Sequence, residues 1–239
     1  IHDLNHFYEK TGRSKTRRHK KIQRKISQAD EIVCISKFTK WDVENKLDLN
    51  GKRCKVIYNM VRSLDDKVAV KPDFHVQEPF FFTIGKIIQK KNFHVLLDLM
   101  KLIPDKHLYI VGKGANRKDN TYAMEIKRKI QEENISNVTL QGPVSHEEKV
   151  WMYQHCLAFF FPSLLEGFGL PVIEAMQFGK PVFSSQETSL KEIGGEYAYF
   201  WKNFDPLEMN KLVEDNLEGF YSRKELAEKE KEYASSFSY

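Results

Sequence analysis

The sequence has no long hydrophobic run, and this absence limits where the protein can reside. No stretch of 18 or more apolar residues occurs in the 239 residues, whereas a membrane-spanning helix needs about 20. The first residues also lack the charged and then apolar pattern, with a cleavage site, of a secretory signal. We therefore expect neither a membrane span nor secretion, and a cytoplasmic protein.

Cysteine is scarce as well. The three cysteines, Cys34, Cys54 and Cys156, are widely separated and have apolar or β-branched neighbours. An odd number of cysteines at this wide spacing suits reduced thiols better than a disulfide framework or a zinc site. We expect reduced thiols that pack in the interior and have no chemical role.

Positive charge is concentrated near the start of the sequence. The net charge is +5, and the first 40 residues hold 11 Lys/Arg against 4 Asp/Glu. Nine of these cations lie in Lys10–Lys25, where Ile22 and Ile26 have the spacing of an apolar helix stripe. Three interpretations stay open: a solvated helix face, a contact with an anionic membrane surface or phosphorylated acceptor, and a nucleic-acid-binding module. Because no aromatic residue is interleaved with the cations, we expect no nucleic-acid partner.

Short apolar runs alternate with longer amphipathic stretches, which is typical of strand–helix units that build a parallel sheet. The predicted strands are Glu31–Ser36, Lys55–Tyr58, Phe80–Gly85, His107–Gly112, Asn137–Gln141, Leu157–Pro162 and Pro181–Ser184. The predicted helices are Asn92–Leu102, Glu125–Glu133, Glu147–Gln154 and Pro171–Phe178. The fold class is therefore α/β.

Residues 62–79 contain two prolines and no sustained period, so we predict a linker there. Residues 80–221 hold enough strand–helix units for a complete Rossmann-like domain. Residues 1–61 hold too few elements to bury both faces of a sheet, so we expect them to be the C-terminal part of a domain whose first strands lie upstream of Ile1.

The segment Pro162–Val182 carries the strongest functional pattern. After an apolar strand, Gly167-Phe168-Gly169 precedes a helix with Pro171 in its first turn. Glycines let the backbone approach a ligand, and the free N–H groups of a helix N-terminus favour an anion such as a diphosphate. Glu166 and Glu174 flank this turn. Each alone is explained by a solvated loop or a local cap, but together, at the carboxyl end of a strand, they favour a ligand site.

A second pattern follows the predicted strand Phe80–Gly85. Gly85 is followed by Lys86, Lys90 and Lys91, which would lie near the same crevice of a parallel sheet. Lys86 and Lys91 are placed to neutralise a departing diphosphate. Lysine pairs on loops are commonly solvated, so this pattern by itself is weak.

These residues together resemble family 4 of the retaining glycosyltransferases. The resemblance rests on Glu166-Gly-Phe-Gly-Leu-Pro-x-x-Glu174-Ala-Met, which looks like the Glu-x7-Glu signature of that family, with Gly85 and Lys91-Asn92 upstream and Gly179-x-Pro181-Val182 downstream. Ile1-His2-Asp3-Leu4 is similar to a His-Asp turn of the first domain in that family. The resemblance implies the GT-B architecture of two facing Rossmann-like domains, with residues 222–239 as a helical segment that returns toward the first domain.

By that resemblance, Glu166 contacts the hydroxyls of the donor sugar, Glu174 the ribose, and the amides of Phe168, Gly169 and Leu170 the phosphates. Lys91 matches the diphosphate lysine, while Lys86 stands where many members carry arginine. His2 would face the sugar across the cleft. The donor is a nucleoside-diphosphate sugar, the transferred group a hexose, and the acceptor a saccharide or lipid-linked molecule in cell-surface polysaccharide or lipopolysaccharide synthesis.

The resemblance implies no cofactor and no metal. The sequence contains no Asp-x-Asp motif, and Asp65-Asp66 lies in the predicted linker. Three alternatives to an active transferase remain: a glucan phosphorylase or synthase of the same architecture, a nucleotide-sugar-binding fragment without activity, and a basic nucleic-acid-binding module. A pyridoxal-type lysine motif that would support the phosphorylase is not found.

Overall fold

The computed structural model describes residues 1–9, 12–64 and 68–238, with the side chains of all of these except residues 13–15. Three predictions reach beyond this range. Lys10 at the start of the basic run, the Asp65-Asp66 pair of the predicted linker, and Tyr239 at the end of the predicted last segment all lie outside the described residues.

The described residues form two parallel sheets and the helices that cover them. The strands are β1 (Ile32–Cys34), β2 (Cys54–Val56), β3 (Phe80–Ile84), β4 (His107–Val111), β5 (Val138–Gln141), β6 (Ala158–Phe161), β7 (Val182–Ser185) and β8 (Ala198–Trp201). The helices are α1 (His6–Glu9), α2 (Gly12–Gln28), α3 (Lys37–Lys46), α4 (Val95–Lys101), α5 (Thr121–Glu132), α6 (His146–His155), α7 (Leu170–Gln177), α8 (Leu190–Gly194), α9 (Pro206–Ser222) and α10 (Lys224–Ser235). A 3₁₀ turn covers Gln89–Lys91.

The larger sheet is buried on both faces, which is why its strands are apolar almost throughout. Strands β4, β6 and β7 are buried at every position. Alternate side chains enter opposite cores, so that Phe80 and Phe82 pack with residues of α6 and α7, whereas Phe81 packs with residues of α4 and α5. The Phe81 and Phe160 rings stack with centroids 4.4 Å apart. Each buried phenylalanine contributes about 1.5–3 kcal/mol to folding.

The strand order of this sheet decides where a ligand can bind. The order is β5-β4-β3-β6-β7-β8 with every pair parallel, so the chain runs outward from β3 in one direction and then outward from β6 in the other. The loops after β3 and β6 therefore diverge at the carboxyl edge of the sheet. This topological switch point is where open α/β sheets bind ligands, and it brings the loops of Lys86–Lys91 and Glu166–Gly169 together.

The smaller sheet pairs β1 with β2 and is covered by α2 and α3. Ile26 of α2 and Val43 of α3 are buried in the core of this sheet, which confirms the predicted helix around Ile22 and Ile26. Ile1 lies beside β1, where its amino group donates to the Val33 carbonyl and its own carbonyl accepts from the Ile35 N–H.

Between β2 and β3 the described residues form neither helix nor strand. Gln177 of α7 holds this segment, because its side chain accepts from the Leu64 N–H and donates to the Arg62 carbonyl, both at 3.3 Å. The Val61 N–H also donates to the Phe237 carbonyl at 2.7 Å, and α10 packs against α7. The predicted domain boundaries 1–61, 62–79, 80–221 and 222–239 remain predictions.

The predicted α/β fold is confirmed, and so are the seven predicted strands, each with its ends within two residues. Helix α5 begins earlier than predicted because the Asn120 side chain accepts from the Ala123 N–H as an N-cap. Strand β8 was not predicted. It is an edge strand that pairs with β7 and is buried only at Trp201. Its Ala-Tyr-Phe-Trp sequence is an apolar run between Gly195 and Asp205-Pro206, so the signal for a strand was present in the sequence.

Candidate active site

The turn between β6 and α7 is shaped by its glycines and by Pro171. Gly169 is the N-cap of α7 with φ of 112°, a left-handed conformation that favours glycine. Pro171 lies in the first turn of the helix, where its missing N–H removes no hydrogen bond. Within the described part of the chain, the N–H groups of Phe168, Gly169 and Leu170 donate no hydrogen bond. Free amides at a helix N-terminus are suited to an anion.

A cavity of about 500 Å³ lies in front of this turn. Predicted site residues that line it are His2, Lys86, Lys91, Glu166, Gly167, Phe168, Gly169 and Leu170. Lys90, predicted to lie near the same crevice, and Asp3 of the His-Asp turn also line it. Three further polar residues that the sequence did not single out are Asn5, Glu9 and Asn59. Two other predicted site residues, Gly85 and Glu174, are not among the described residues that line the cavity.

Lys91 and Glu166 are paired at the edge of the cavity. The Lys91 ammonium forms an ion pair with Glu166 Oε1, and their side chains are 12% and 15% exposed. The Ser163 hydroxyl lies 2.7 Å from the same carboxylate oxygen, and Lys91 Nζ lies 4.7 Å from the centroid of the Phe161 ring. The two side chains are therefore held in place by hydrogen bonds and a cation–π contact before any ligand binds.

Glu174 has two partners on helix α6. Lys149 Nζ lies 2.8 Å from Glu174 Oε1, and the Tyr153 hydroxyl donates to Oε2 at 3.0 Å. Burial and the nearby Glu174 charge raise the pKa of Tyr153 well above its ordinary value, so its hydroxyl remains a donor. Both carboxylate oxygens of Glu174 are therefore hydrogen-bonded, as expected for a largely buried charge.

Gly85 and Lys86 lie where β3 ends. A Cβ at Gly85 would lie 3.3 Å from Cε of Lys91, so the glycine leaves room for the Lys91 side chain. Lys86 is exposed and lines the cavity, and it takes part in no ion pair among the described residues. Lys90, in contrast, pairs with Glu9 of α1 at 3.2 Å.

His2 approaches the turn from the smaller sheet. A Cβ at Gly167 would lie 2.0 Å from the His2 carbonyl oxygen, so the backbone of His2 packs directly against Gly167. The His2 side chain is exposed. The structure therefore brings His2, Lys91 and Glu166 to one cavity, as predicted.

Sequence reasoning missed Ser163, Lys149 and Tyr153. Ser163 lies three residues before Glu166, and its small polar side chain after a buried strand is the signal that was available. Lys149 and Tyr153 are four residues apart on one helix face, but the sequence does not indicate that this face meets α7.

Among the described residues there is no group of three or more His, Cys, Asp or Glu side chains placed to hold a metal ion. In the same part of the chain, no helix has the length and apolar character needed to cross a membrane.

The fold and the position of the site define the class of protein. Known structures with this fold include a sucrose-phosphate synthase from Thermosynechococcus elongatus, at a TM-score of 0.81, 21% identity, and coverage of 99% of this chain and 62% of that chain. Another is the Anabaena protein Alr3699/HepE in complex with UDP and glucose, at a TM-score of 0.78, 18% identity, and coverage of 100% and 66%. The fold is that of the GT-B glycosyltransferases.

Residues 65–234 match the family of glycosyl transferases group 1, and the chain belongs to this family. An uncharacterized glycosyltransferase of Methanocaldococcus jannaschii is 28% identical over 216 residues, 89% of this chain and 57% of that protein. The serotype-specific mannosyltransferase WbdA of Escherichia coli is 25% identical over 82% of this chain and 26% of its own length. The O-antigen chain mannosyltransferase RfbU of Salmonella typhimurium is 27% identical over 72% and 46%. The chain thus spans between about a quarter and 57% of these relatives.

Proposed function

We propose that this chain is part of a family 4 glycosyltransferase that retains anomeric configuration and needs no metal. It transfers a hexose from a nucleoside-diphosphate sugar to a saccharide or lipid-linked acceptor, in the synthesis of cell-surface polysaccharide or lipopolysaccharide. The O-antigen mannosyltransferases among its relatives support this acceptor class. The related fold solved with UDP and glucose supports a nucleotide-sugar donor.

One observation carries the proposal. The unpaired amides of Phe168, Gly169 and Leu170 lie at the start of α7, and they share a cavity with Glu166 and with the Lys86 and Lys91 side chains. The backbone N–H groups and the lysine cations suit a diphosphate, and the carboxylate suits the hydroxyls of a sugar. Together they fit a molecule that has both.

The proposed chemistry follows from where charge develops. When the bond between the anomeric carbon and the phosphate breaks, negative charge grows on the diphosphate and positive charge on the sugar ring. The helix N-terminus and the two lysines stabilise the leaving diphosphate, so the reaction does not depend on a metal ion. Glu166 then acts as the group that positions the sugar hydroxyls rather than as a nucleophile, and the acceptor attacks from the face that the diphosphate leaves.

In this proposal the nucleotide sugar binds while the contacts of Lys91 and Glu174 within the protein are kept. The Lys91 ammonium has three N–H donors, so it can keep Glu166 and also contact the diphosphate. The Glu174 carboxylate has about four acceptor sites, of which Lys149 and Tyr153 occupy two. The remaining sites are available to the ribose hydroxyls.

A panel of nucleoside-diphosphate sugars tests the proposal. UDP-glucose, UDP-N-acetylglucosamine and GDP-mannose are titrated into the chain by calorimetry. Glu174→Ala is the site variant, and Glu214→Ala, at an exposed position of helix α9, is the control. We expect one donor to bind the unmodified chain and the control, and to bind Glu174→Ala more weakly. If no donor binds at millimolar concentration, the proposal is wrong.

Two outcomes separate the alternatives. Donor binding without transfer to any acceptor would favour a nucleotide-sugar-binding fragment without activity. Retention of the chain on DNA that is lost when residues 1–40 are removed would favour the nucleic-acid-binding module. Addition of EDTA should leave transfer unchanged, and the anomeric configuration of the product can be read by NMR.

The basic run suggests a further partner for the proposed enzyme. The described cations of α2, including Lys20, Lys21, Arg24 and Lys25, are exposed, while Ile26 on the opposite side is buried. A helix with an apolar inner face and a cationic outer face is suited to an anionic membrane surface. A peripheral position at the inner face of the membrane would bring a lipid-linked acceptor to the enzyme.

A further inference from the structure

Three buried hydroxyls surround the carbonyl groups of the turn before α7. The Ser36 hydroxyl donates to the Gly167 carbonyl at 2.8 Å, and the Thr39 hydroxyl lies 3.2 Å from the same oxygen. From the other side, the Ser189 hydroxyl donates to the Phe168 carbonyl at 2.9 Å. All three side chains belong to residues that are at most 1% exposed.

Each of these bonds also fixes the direction of an amide. In a planar trans peptide, the carbonyl of one residue and the N–H of the next point in opposite directions. When Gly167 C=O is held by Ser36, the Phe168 N–H must point away from Ser36. When Phe168 C=O is held by Ser189, the Gly169 N–H must point away from Ser189.

The turn needs such support because two of its three residues are glycines. Glycine permits a peptide group to rotate between orientations at little steric cost, so an unsupported Gly167-Phe168-Gly169 segment would sample several directions of its amides. A binding site that must order its donors when the ligand arrives loses affinity to that ordering. Hydroxyls that hold the carbonyls remove this cost in advance.

The Ser36 hydroxyl acts as an acceptor and as a donor at the same time. Ser36 is the N-cap of α3, and its oxygen accepts from the Thr39 N–H at 3.0 Å. A hydroxyl has a single donor, and the nearest acceptor to the Ser36 hydroxyl is the Gly167 carbonyl at 2.8 Å, with Thr39 Oγ1 at 3.0 Å. The start of α3 is itself held near the turn by Glu192 of α8, which accepts from the N–H groups of Lys37 at 2.7 Å and Phe38 at 3.1 Å.

We propose that Ser36, Thr39 and Ser189 are positioning residues that orient the amides of Phe168 and Gly169 toward the diphosphate of the donor. This inference rests on the proposed function, and it deepens it by assigning the orientation of the amides to residues outside the Glu-x7-Glu segment. Ser36 is the N-cap of α3 and Thr39 lies in its first turn, and α3 packs on the smaller sheet. The affinity for the diphosphate therefore depends on contact between α3 and the turn.

The test compares a nucleotide with its nucleoside, because only the nucleotide uses the amides. Dissociation constants of UDP and uridine, and of GDP and guanosine, are measured by calorimetry. The proteins are the unmodified chain, the double variant Ser36→Ala with Thr39→Val, and Ser189→Ala. Thr39→Ser keeps the hydroxyl and serves as the conservative variant. Asp205→Ala removes the N-cap of α9, away from the turn, and controls for the lost cap at Ser36.

In the double variant and in Ser189→Ala, we expect the ratio of nucleoside to nucleotide dissociation constants to fall roughly tenfold. Nucleoside binding itself should be unchanged. Thr39→Ser and Asp205→Ala should retain the full preference. An unchanged preference in both site variants would overturn the inference, and so would an equal loss of nucleotide and nucleoside binding, since that indicates a structural role. If the unmodified chain binds neither nucleotide, the proposed function itself fails.

Discussion

Lys149 Nζ lies 2.8 Å from one carboxylate oxygen of Glu174, while the Tyr153 hydroxyl donates to the other oxygen at 3.0 Å. Lys149 and Tyr153 lie one turn apart on α6, and Glu174 lies on α7. A carboxylate anchored in this way cannot rotate freely, so its remaining acceptor sites have fixed directions. This favours recognition of a pair of neighbouring hydroxyls.

The first prediction tests that recognition. Glu174→Ala should weaken nucleoside-diphosphate binding by about 1–3 kcal/mol, because the ribose loses hydrogen bonds to a charged group. The measurement is calorimetry with the ribose nucleotide and its 2′,3′-dideoxy analogue. If Glu174 binds the ribose, the unmodified chain distinguishes the two ligands and the variant does not. A variant that still distinguishes them would contradict the assignment.

The second prediction concerns the contact between Gly167 and His2. Gly167→Ala should lower the free energy of unfolding by about 1–3 kcal/mol, because the new Cβ would lie 2.0 Å from the His2 carbonyl oxygen. Gly219→Ala on α9 is the matched control, since its Cβ would have no neighbour closer than 3.5 Å, and it should stabilise the helix by about 0.5–1 kcal/mol. Urea unfolding compares the two, and equal effects would argue against the close packing.

The third prediction concerns Lys91. Lys91→Met should weaken nucleoside-diphosphate binding by about 1.5–3 kcal/mol, because a charge-assisted contact to the phosphates is lost. Lys211→Met, at an exposed position of α9, is the control and should bind as the unmodified chain does. Binding is measured at two salt concentrations, and the salt dependence should be smaller in Lys91→Met. A Lys91→Met protein with full affinity would remove Lys91 from the proposed site.

The fourth prediction follows from Glu230 on α10. Its side chain is 1% exposed, and neither carboxylate oxygen has a hydrogen-bond partner among the described residues. Burial raises the pKa of Glu230 well above its ordinary value, and Lys180 and Lys231 only partly offset this. The folded protein therefore holds a proton that the unfolded chain loses above about pH 4.3.

The free energy of unfolding should consequently fall as the pH rises from about 4.3 toward the raised pKa of the folded state. For one proton the slope is about 1.4 kcal/mol per pH unit. Glu230→Gln should raise the free energy of unfolding at pH 7 and flatten this dependence. Glu228→Gln, which changes an exposed glutamate on the same helix, is the control. Denaturant unfolding between pH 5 and 8 gives the comparison, and parallel curves for Glu230→Gln and the unmodified chain would refute it.

The fifth prediction concerns the membrane contact proposed for α2. Replacing Lys20, Lys21 and Lys25 by glutamate should weaken binding to phosphatidylglycerol vesicles by about 1 kcal/mol or more per residue. The same change at Lys211, Lys224 and Lys229, which are exposed on α9 and α10, alters the net charge equally and should have a smaller effect. Co-sedimentation measures both, and an equal loss would mean that net charge alone governs the binding.

Local patterns in the sequence were sufficient for the α/β fold and for most of the candidate site. Strands such as Ala158–Phe161 are buried along their length and are apolar at every position, which makes them visible without a structure. The turn before α7 can be recognised in the sequence because its glycines, Pro171 and the two glutamates are close together in the chain. Strand β8, in contrast, was missed although its Ala-Tyr-Phe-Trp sequence is also an apolar run.

Which residues meet across the chain was decided by the tertiary structure. Lys91 and Glu166 are 75 positions apart, and Ser36 and Gly167 are 131 apart. They meet because β3 and β6 are neighbours in the sheet and because α3 packs against the turn. Local propensity acts over a few residues, whereas strand order and helix docking follow from burying apolar surface on both faces of the sheet. The residue types of the candidate site are thus a property of the sequence, and the pairing of its charges and the orientation of its amides are properties of the packed fold.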